Sequence, residues 1–175
     1  MWKRILYRCG QVWRLVWAKP LSETEWHEVE PRLNEAEAAL FTRFSAGDQR
    51  HSFQVMTLLQ AEGQRNQDLL TAALLHDIGK ICYPIWLWER VAIVLAKVFW
   101  PDKLQAWGQG EAKGWKRPFV VREKHPAWGA QLAQEAGATP LAVELIARHQ
   151  DPLPNPLQTE VDHLLAQLQW ADDQN

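Results

Sequence analysis

The sequence has little cysteine, no long apolar run and almost no net charge, and each shortage excludes a class of protein. Two cysteines in 175 residues, Cys9 and Cys82, cannot build a disulfide framework or a four-thiolate zinc site, and they fit a reducing cytosol. The longest apolar stretch, residues 91–100, is broken by Lys97 and is too short to span a bilayer. Arg14 stands where a secretory signal needs an unbroken apolar segment, and no small-residue cleavage site follows it. A formal charge of −2 asks for no nucleic-acid partner. Strand-like alternation, internal repeats and low-complexity tracts are missing as well. The expectation is a cytoplasmic globular chain with ordinary shares of hydrophobic (47%) and charged (23%) residues. Its length suits one domain with a proper core and is short for two.

Two things are abundant. Tryptophan occurs 11 times. Positive charge is concentrated in residues 1–19, where Lys3, Arg4, Arg8, Arg14 and Lys19 face no acid, while the remainder holds 14 bases against 21 acids. Residues 1–20 read as a basic amphipathic helix with Trp2, Ile5, Leu6, Cys9, Val12, Trp13, Val16 and Trp17 at helical spacing. Residues 21–175 then form the main helical domain. Trp beside Lys/Arg on an apolar face suits a helix lying on anionic lipid, so peripheral contact with the inner face of a membrane through residues 1–19 is one reading. Packing of this arm and of the Trp-rich 84–100 segment over the core is the other, and it is the favoured one. Basic residues with aromatics also suit single-stranded nucleic acid, but their confinement to one short arm argues against it.

From residue 21 onward, turn and cap signals divide the chain into helices. Asn34 with Glu37 has capping-box spacing and opens a helix towards Phe44. Gly47-Asp48 breaks and recaps the chain before a helix carrying His51, and Asn66 caps another that reaches His76. Residues 84–100 predict a Trp-rich helix ended by Pro101. Residues 102–122, with Gly108, Gly110, Gly114 and Pro118, predict an exposed loop. Pro126 suits a first helical position, which would place His125 at a helix N-terminus, and Gly137 suits a C-terminal stop. A last helix runs from about Thr159 to the end. The fold class is therefore all-α.

The chemistry lies in a set of polar residues on apolar stripes. His51 shares a face with Val55, Leu58 and Leu59, and His76 lies seven residues after Leu69. His149 follows Leu141 and Leu145 at four-residue steps, while Asp172 follows Leu165 and Leu168 at seven and four. Helical periodicity points all four inward. Each would cost roughly 1–3 kcal/mol if buried without a partner, and a metal offsets that cost most simply.

One such histidine alone means little; the joint pattern means more. His51 and His76-Asp77 lie 25 positions apart, the next residues are Ile78-Gly79-Lys80, and a helix-borne Asp closes the chain. With Leu-Leu-Thr-Ala-Ala-Leu-Leu-His-Asp-Ile-Gly-Lys over residues 69–80, the sequence resembles the HD-domain superfamily of metal-dependent phosphohydrolases across residues 40–172. The resemblance implies a single-domain HD-type helical bundle. His125, heading His-Pro-Ala-Trp-Gly, and His149, 24 positions later, match the extra histidines of the family's two-metal members. It implies one metal held by His51, His76, Asp77 and Asp172, and a second held by Asp77, His125 and His149. Oxygen and imidazole ligands suit Mn, Fe, Zn or Mg without choosing among them.

Two divalent cations, two carboxylates and a bridging hydroxide leave a local charge of about +1, and Lys80 raises it to about +2, suited to a phosphate ester. The resemblance thus implies hydrolysis of a phosphomonoester or phosphodiester, a nucleotide foremost, by attack of a metal-bound hydroxide. Asp77 and Lys80 are its catalytic candidates. Lys80 is equally explained as a solvated lysine at a helix C-terminus. Two other classes stay open: an HD-type mixed-valent di-iron oxygenase and a non-catalytic metal-stabilised interaction domain. Arg148-His149-Gln150 stands where HD-GYP enzymes carry His-His-Glu, and no Gly-Tyr-Pro follows, which speaks against a third metal and cyclic di-GMP specificity. Asp172 lies three residues from the last residue, with Asp173 and Asp162 as fallback ligands.

Overall fold

A computed structural model gives the architecture, which is described for residues 18–174. Of the helix expected over residues 1–20, residues 1–17 lie outside the described residues and residues 18–20 are not helical. Nine α-helices with short 3₁₀ turns make up the described chain, and it contains no strand. They are α1 (Glu23–Val29), α2 (Glu35–Phe41), α3 (Ala46–Ala61), α4 (Gln67–Leu75), α5 (Leu87–Phe99), α6 (Pro101–Trp107), α7 (Arg117–Glu135), α8 (Pro140–Arg148) and α9 (Glu160–Gln174).

Local chemistry explains the boundaries. Ser22 with Glu25 and Asn34 with Glu37 form capping boxes at the starts of α1 and α2. Asn66 and Thr139 cap α4 and α8. Gly137, at φ +83°, supplies the left-handed residue after α7. The start of α3 differs from the sequence expectation. Ser45 is its cap, and Gly47-Asp48 lies inside the first turn, because the Ser45 hydroxyl accepts from the Asp48 N–H (3.2 Å) and donates to its carboxylate (2.7 Å).

Every residue of α4 from Leu69 to Leu75 is buried, so this helix forms the axis of the fold, as an all-apolar helix must. It packs on α3, α8, α9 and α2. The main core gathers its leucines with Phe41, Val55, Met56, Leu145, Ile146, Leu165 and Leu168. A separate small cluster of Ala96, Leu104 and Phe119, backed by Ala92, Ile93 and Trp107, joins α5, α6 and the start of α7.

Two further expectations are corrected. Residues 102–122 are largely helical, because Pro101 and Pro118 each sit in a first turn, where a missing N–H costs nothing, and Leu104 and Phe119 find the small cluster. The turn between them keeps Gly110 and Gly114 at positive φ. Pro126 does not begin a helix but lies inside α7, so His125 is a mid-helix residue. The consequence of that proline belongs to the site.

Candidate metal centre

The ends of α4 and α8, the middle of α7 and one face each of α3 and α9 meet at one point. His51 comes from α3, His76 and Asp77 from the C-terminus of α4, His125 from α7, His149 from the C-cap of α8 and Asp172 from α9. All six sequence-selected His and Asp residues are brought together. They fall into two groups with the spacing of metal ligands: His51, His76 and Asp172, and Asp77, His125 and His149.

Backbone carbonyls orient three of the four imidazoles. His76 Nδ1 lies 2.9 Å from the Ala73 carbonyl, and His149 Nδ1 lies 2.8 Å from that of Ile146. Both carbonyls belong to last helical turns, where orphan acceptors are available. His125 reaches the same result through Pro126. Proline has no N–H, so the Arg122 carbonyl loses its helical partner. His125 Nδ1 fills that vacancy at 2.8 Å. A carbonyl can only accept, so each Nδ1 carries a proton and each Nε2 is the nitrogen that faces the site, with its lone pair on the rings that are neutral. This is how ligand histidines are held in metal centres.

The Nε2 atoms then meet oxygens and one another. His125 Nε2 lies 3.2 Å from His149 Nε2 and 3.1 Å from Asp77 Oδ1, and His149 Nε2 is 3.9 Å from that same oxygen. Two lone pairs and a carboxylate at these distances repel unless a cation lies among them. In the other group, His51 Nε2 is 2.9 Å from Asp172 Oδ1. His76 Nε2 is 3.7 Å from that oxygen and 3.6 Å from Asp77 Oδ2, and it is a buried atom with no hydrogen-bond partner. The donor set and this orphaned nitrogen fit a metal in both groups. Asp77 faces both: Oδ1 toward the second group, and Oδ2 toward His76 and, at 3.9 Å, toward His51. Lys80 closes onto Asp77 Oδ2 as an ion pair.

Electrostatics fit the same picture. Burial opposes ionisation of Asp77, but Lys80 and His76 beside it hold its carboxyl well below the usual range. Asp172 is likewise held well below it, against burial, by the bond from His51 and by His76 nearby. Burial also opposes protonation of His76, yet Asp77 and Asp172 keep it up at about 9. His149 is pushed down to about 3 by burial and by the charge of His76. Burial lowers His125 as well. The second group therefore offers two neutral imidazoles and an ionised carboxylate.

Gly79 makes the approach possible. A Cβ there would lie 2.0 Å from the His125 carbonyl oxygen and 2.7 Å from Gly129 N, so the 3₁₀ turn Ile78–Cys82 presses directly on α7. The fallback residues stand elsewhere. Asp162 caps α9, accepting from Thr159 N–H at 3.0 Å and from Arg148 at 3.3 Å. Asp173 is exposed and belongs to neither group.

Sequence reasoning missed the surrounding polar frame. Asp48, one turn before His51 on α3, is buried and, besides the Ser45 hydroxyl, accepts from Arg90 of α5 at 2.9 and 3.1 Å. Glu89, also buried, pairs with Arg117 at the start of α7. Partners 42 and 28 residues apart leave no local signal. The amide of Gln150 stands 3.5 Å from His125 Nε2.

Neither a curated protein nor a solved structure matches the chain. The family model described as HD domain matches residues 49–173, which is more than half of it and runs from just before His51 to just after Asp172. The chain belongs to the HD domain superfamily of metal-dependent hydrolases.

Proposed function

We propose that the protein is a phosphohydrolase acting on a phosphomonoester or phosphodiester, with nucleotides as the first substrates to try. One observation carries the reading: Asp77 turns one carboxylate oxygen toward each histidine group, 3.1 Å from His125 and 3.6 Å from His76. A carboxylate so placed suits two cations sharing one substrate. His51, His76 and Asp172 would hold the first ion and His125 and His149 the second, with Asp77 common to both. Such ions, when bound, lower the pKa of coordinated water and polarise a phosphoryl oxygen.

The chain's own groups supply the rest. Lys80 keeps Asp77 ionised and adds a positive charge beside it, where the oxygens of a phosphate gather. Burial of Ile78, Gly79, His76, His125 and His149 excludes bulk water from the inner wall, which strengthens each electrostatic contact. Gly79 fixes the distance between the Asp77 and His125 sides of the centre.

The test is metal reconstitution followed by a panel of phosphate esters and nucleotides. We expect turnover that is independent of O₂, retained metal in Lys80→Met, and kcat/KM lowered in that variant by about 10²-fold. Turnover that requires O₂, or none on any ester with both ions bound, would refute the proposal.

A further inference from the structure

The α5 helix has a face that the described residues leave exposed. Trp88, Leu95 and Phe99 recur at steps of seven and four, so they lie on one side, and all three are exposed (61, 37 and 53%). Leu87 flanks them at 40% exposure, and Val91, Val94 and Val98 are only half-buried. Trp86, the cap residue, is 68% exposed. Single exposed apolar residues are ordinary, but a contiguous aromatic and aliphatic patch of this kind marks an interaction surface.

The helix's polar side chains are drawn away from that face. Glu89 pairs with Arg117 of α7, and Arg90 with Asp48 of α3. Ala92, Ile93 and Ala96 pack toward Leu104, Trp107 and Phe119. Glu89, Arg90, Ala92, Ile93 and Ala96 thus anchor α5, and its other large apolar residues are left outward. The patch continues past the helix end through touching rings, Phe99 to Trp100, Trp100 to Trp107 and Trp107 to Trp115. Trp115 is 61% exposed and carries Lys116 Nζ 5.7 Å over its ring.

Charge selects the occupant. Residues 84–124 hold eight basic and four acidic side chains, whereas the other described residues hold seven against seventeen. Among the described residues the aromatic surface therefore lies in the basic region of an acidic body, which carries exposed Lys97, Lys103, Lys113 and Lys116. Trp at headgroup level, aliphatic side chains slightly deeper and lysines at the rim are what an anionic bilayer surface takes. No described helix is long and apolar enough to cross a membrane, so contact would be peripheral.

We propose that the outward face of α5, with Trp100 and Trp115, docks the protein on anionic lipid. The experiment is co-sedimentation of the full chain with phosphatidylcholine vesicles, with and without phosphatidylserine, at low and high salt. Binding is expected only with phosphatidylserine, weakened by salt, and reduced at least about tenfold by Trp88→Glu/Leu95→Glu. Helicity and metal content should be unchanged in that variant. Should it fail to fold, Lys103→Glu/Lys116→Glu alters only exposed charges and must also weaken capture. Equal capture by neutral vesicles, capture undiminished by both variants, or a dimer in sedimentation equilibrium with no vesicle capture would each overturn the proposal.

Discussion

Gly79→Ala is the sharpest perturbation available, because it adds one methyl group where two backbones touch. The new Cβ would sit 2.0 Å from the His125 carbonyl oxygen, 2.7 Å from Gly129 N and 2.8 Å from the His125 carbonyl carbon. All three are main-chain atoms, so no side chain can swing aside. The turn and α7 must part by roughly 1.4 Å to restore a 3.4 Å contact. Overpacking of this kind costs up to about 3 kcal/mol. A domain of this size loses about 2–4 °C of Tm per kcal/mol, so a fall of about 6–12 °C is expected. The same displacement carries Asp77 away from His125, and the second ion should bind about 10–100-fold more weakly. Gly63→Ala is the control. Gly63 has φ +84° with nothing within 4 Å of a Cβ, so alanine there pays only for backbone conformation, about 1 kcal/mol, and should leave metal binding alone. Calorimetry with elemental analysis reads both quantities. A Gly79→Ala protein with unchanged Tm and full metal content would refute the argument.

Pro126→Ala should stabilise α7 by restoring an N–H for the Arg122 carbonyl. His125 Nδ1 then competes for its acceptor, and second-ion affinity should fall about tenfold or more, measured by competition with a chelating dye. The Arg50 guanidinium and the Ser22 N–H hold Glu25 down at about 2, against an ordinary 4.5. A lowered folded pKa gives stability that is present above 4.5 and lost as pH falls toward 2. Glu25→Gln should therefore be less stable than the parent above pH 4.5, with the gap closing in acid, as followed by urea titrations across that window. Removal of bound ions by a chelator should lower stability by about 4 kcal/mol from conditions a thousandfold above Kd. Thermal scans of Asp77→Asn with and without chelator should then coincide.

The fold and the ligand set differ in how much of them is legible in the residues. Stripe periodicity placed His51, His76, His149 and Asp172 inward because an amphipathic helix has one buried face, and the site sits under those faces. Asp172, close to the end of α9, is tied by His51 at 2.9 Å, a contact that no terminal-fraying rule anticipates. The misread parts share a cause. Pro126 looks like a helix start, but its lost N–H is compensated by a side chain, and only the folded site shows that partner. Residues 102–122 carry loop composition, yet Leu104 and Phe119 gain a packing surface from α5 that outweighs it. The Asp48–Arg90 and Glu89–Arg117 pairs are long-range contacts without a spacing rule.

Elemental analysis of the parent chain beside His149→Ala and Asp77→Asn tests the shared carboxylate most directly. Two groups bridged by Asp77 predict two ions in the parent, one in His149→Ala and none retained in Asp77→Asn. An Asp77→Asn protein that is folded and still carries both ions would contradict it.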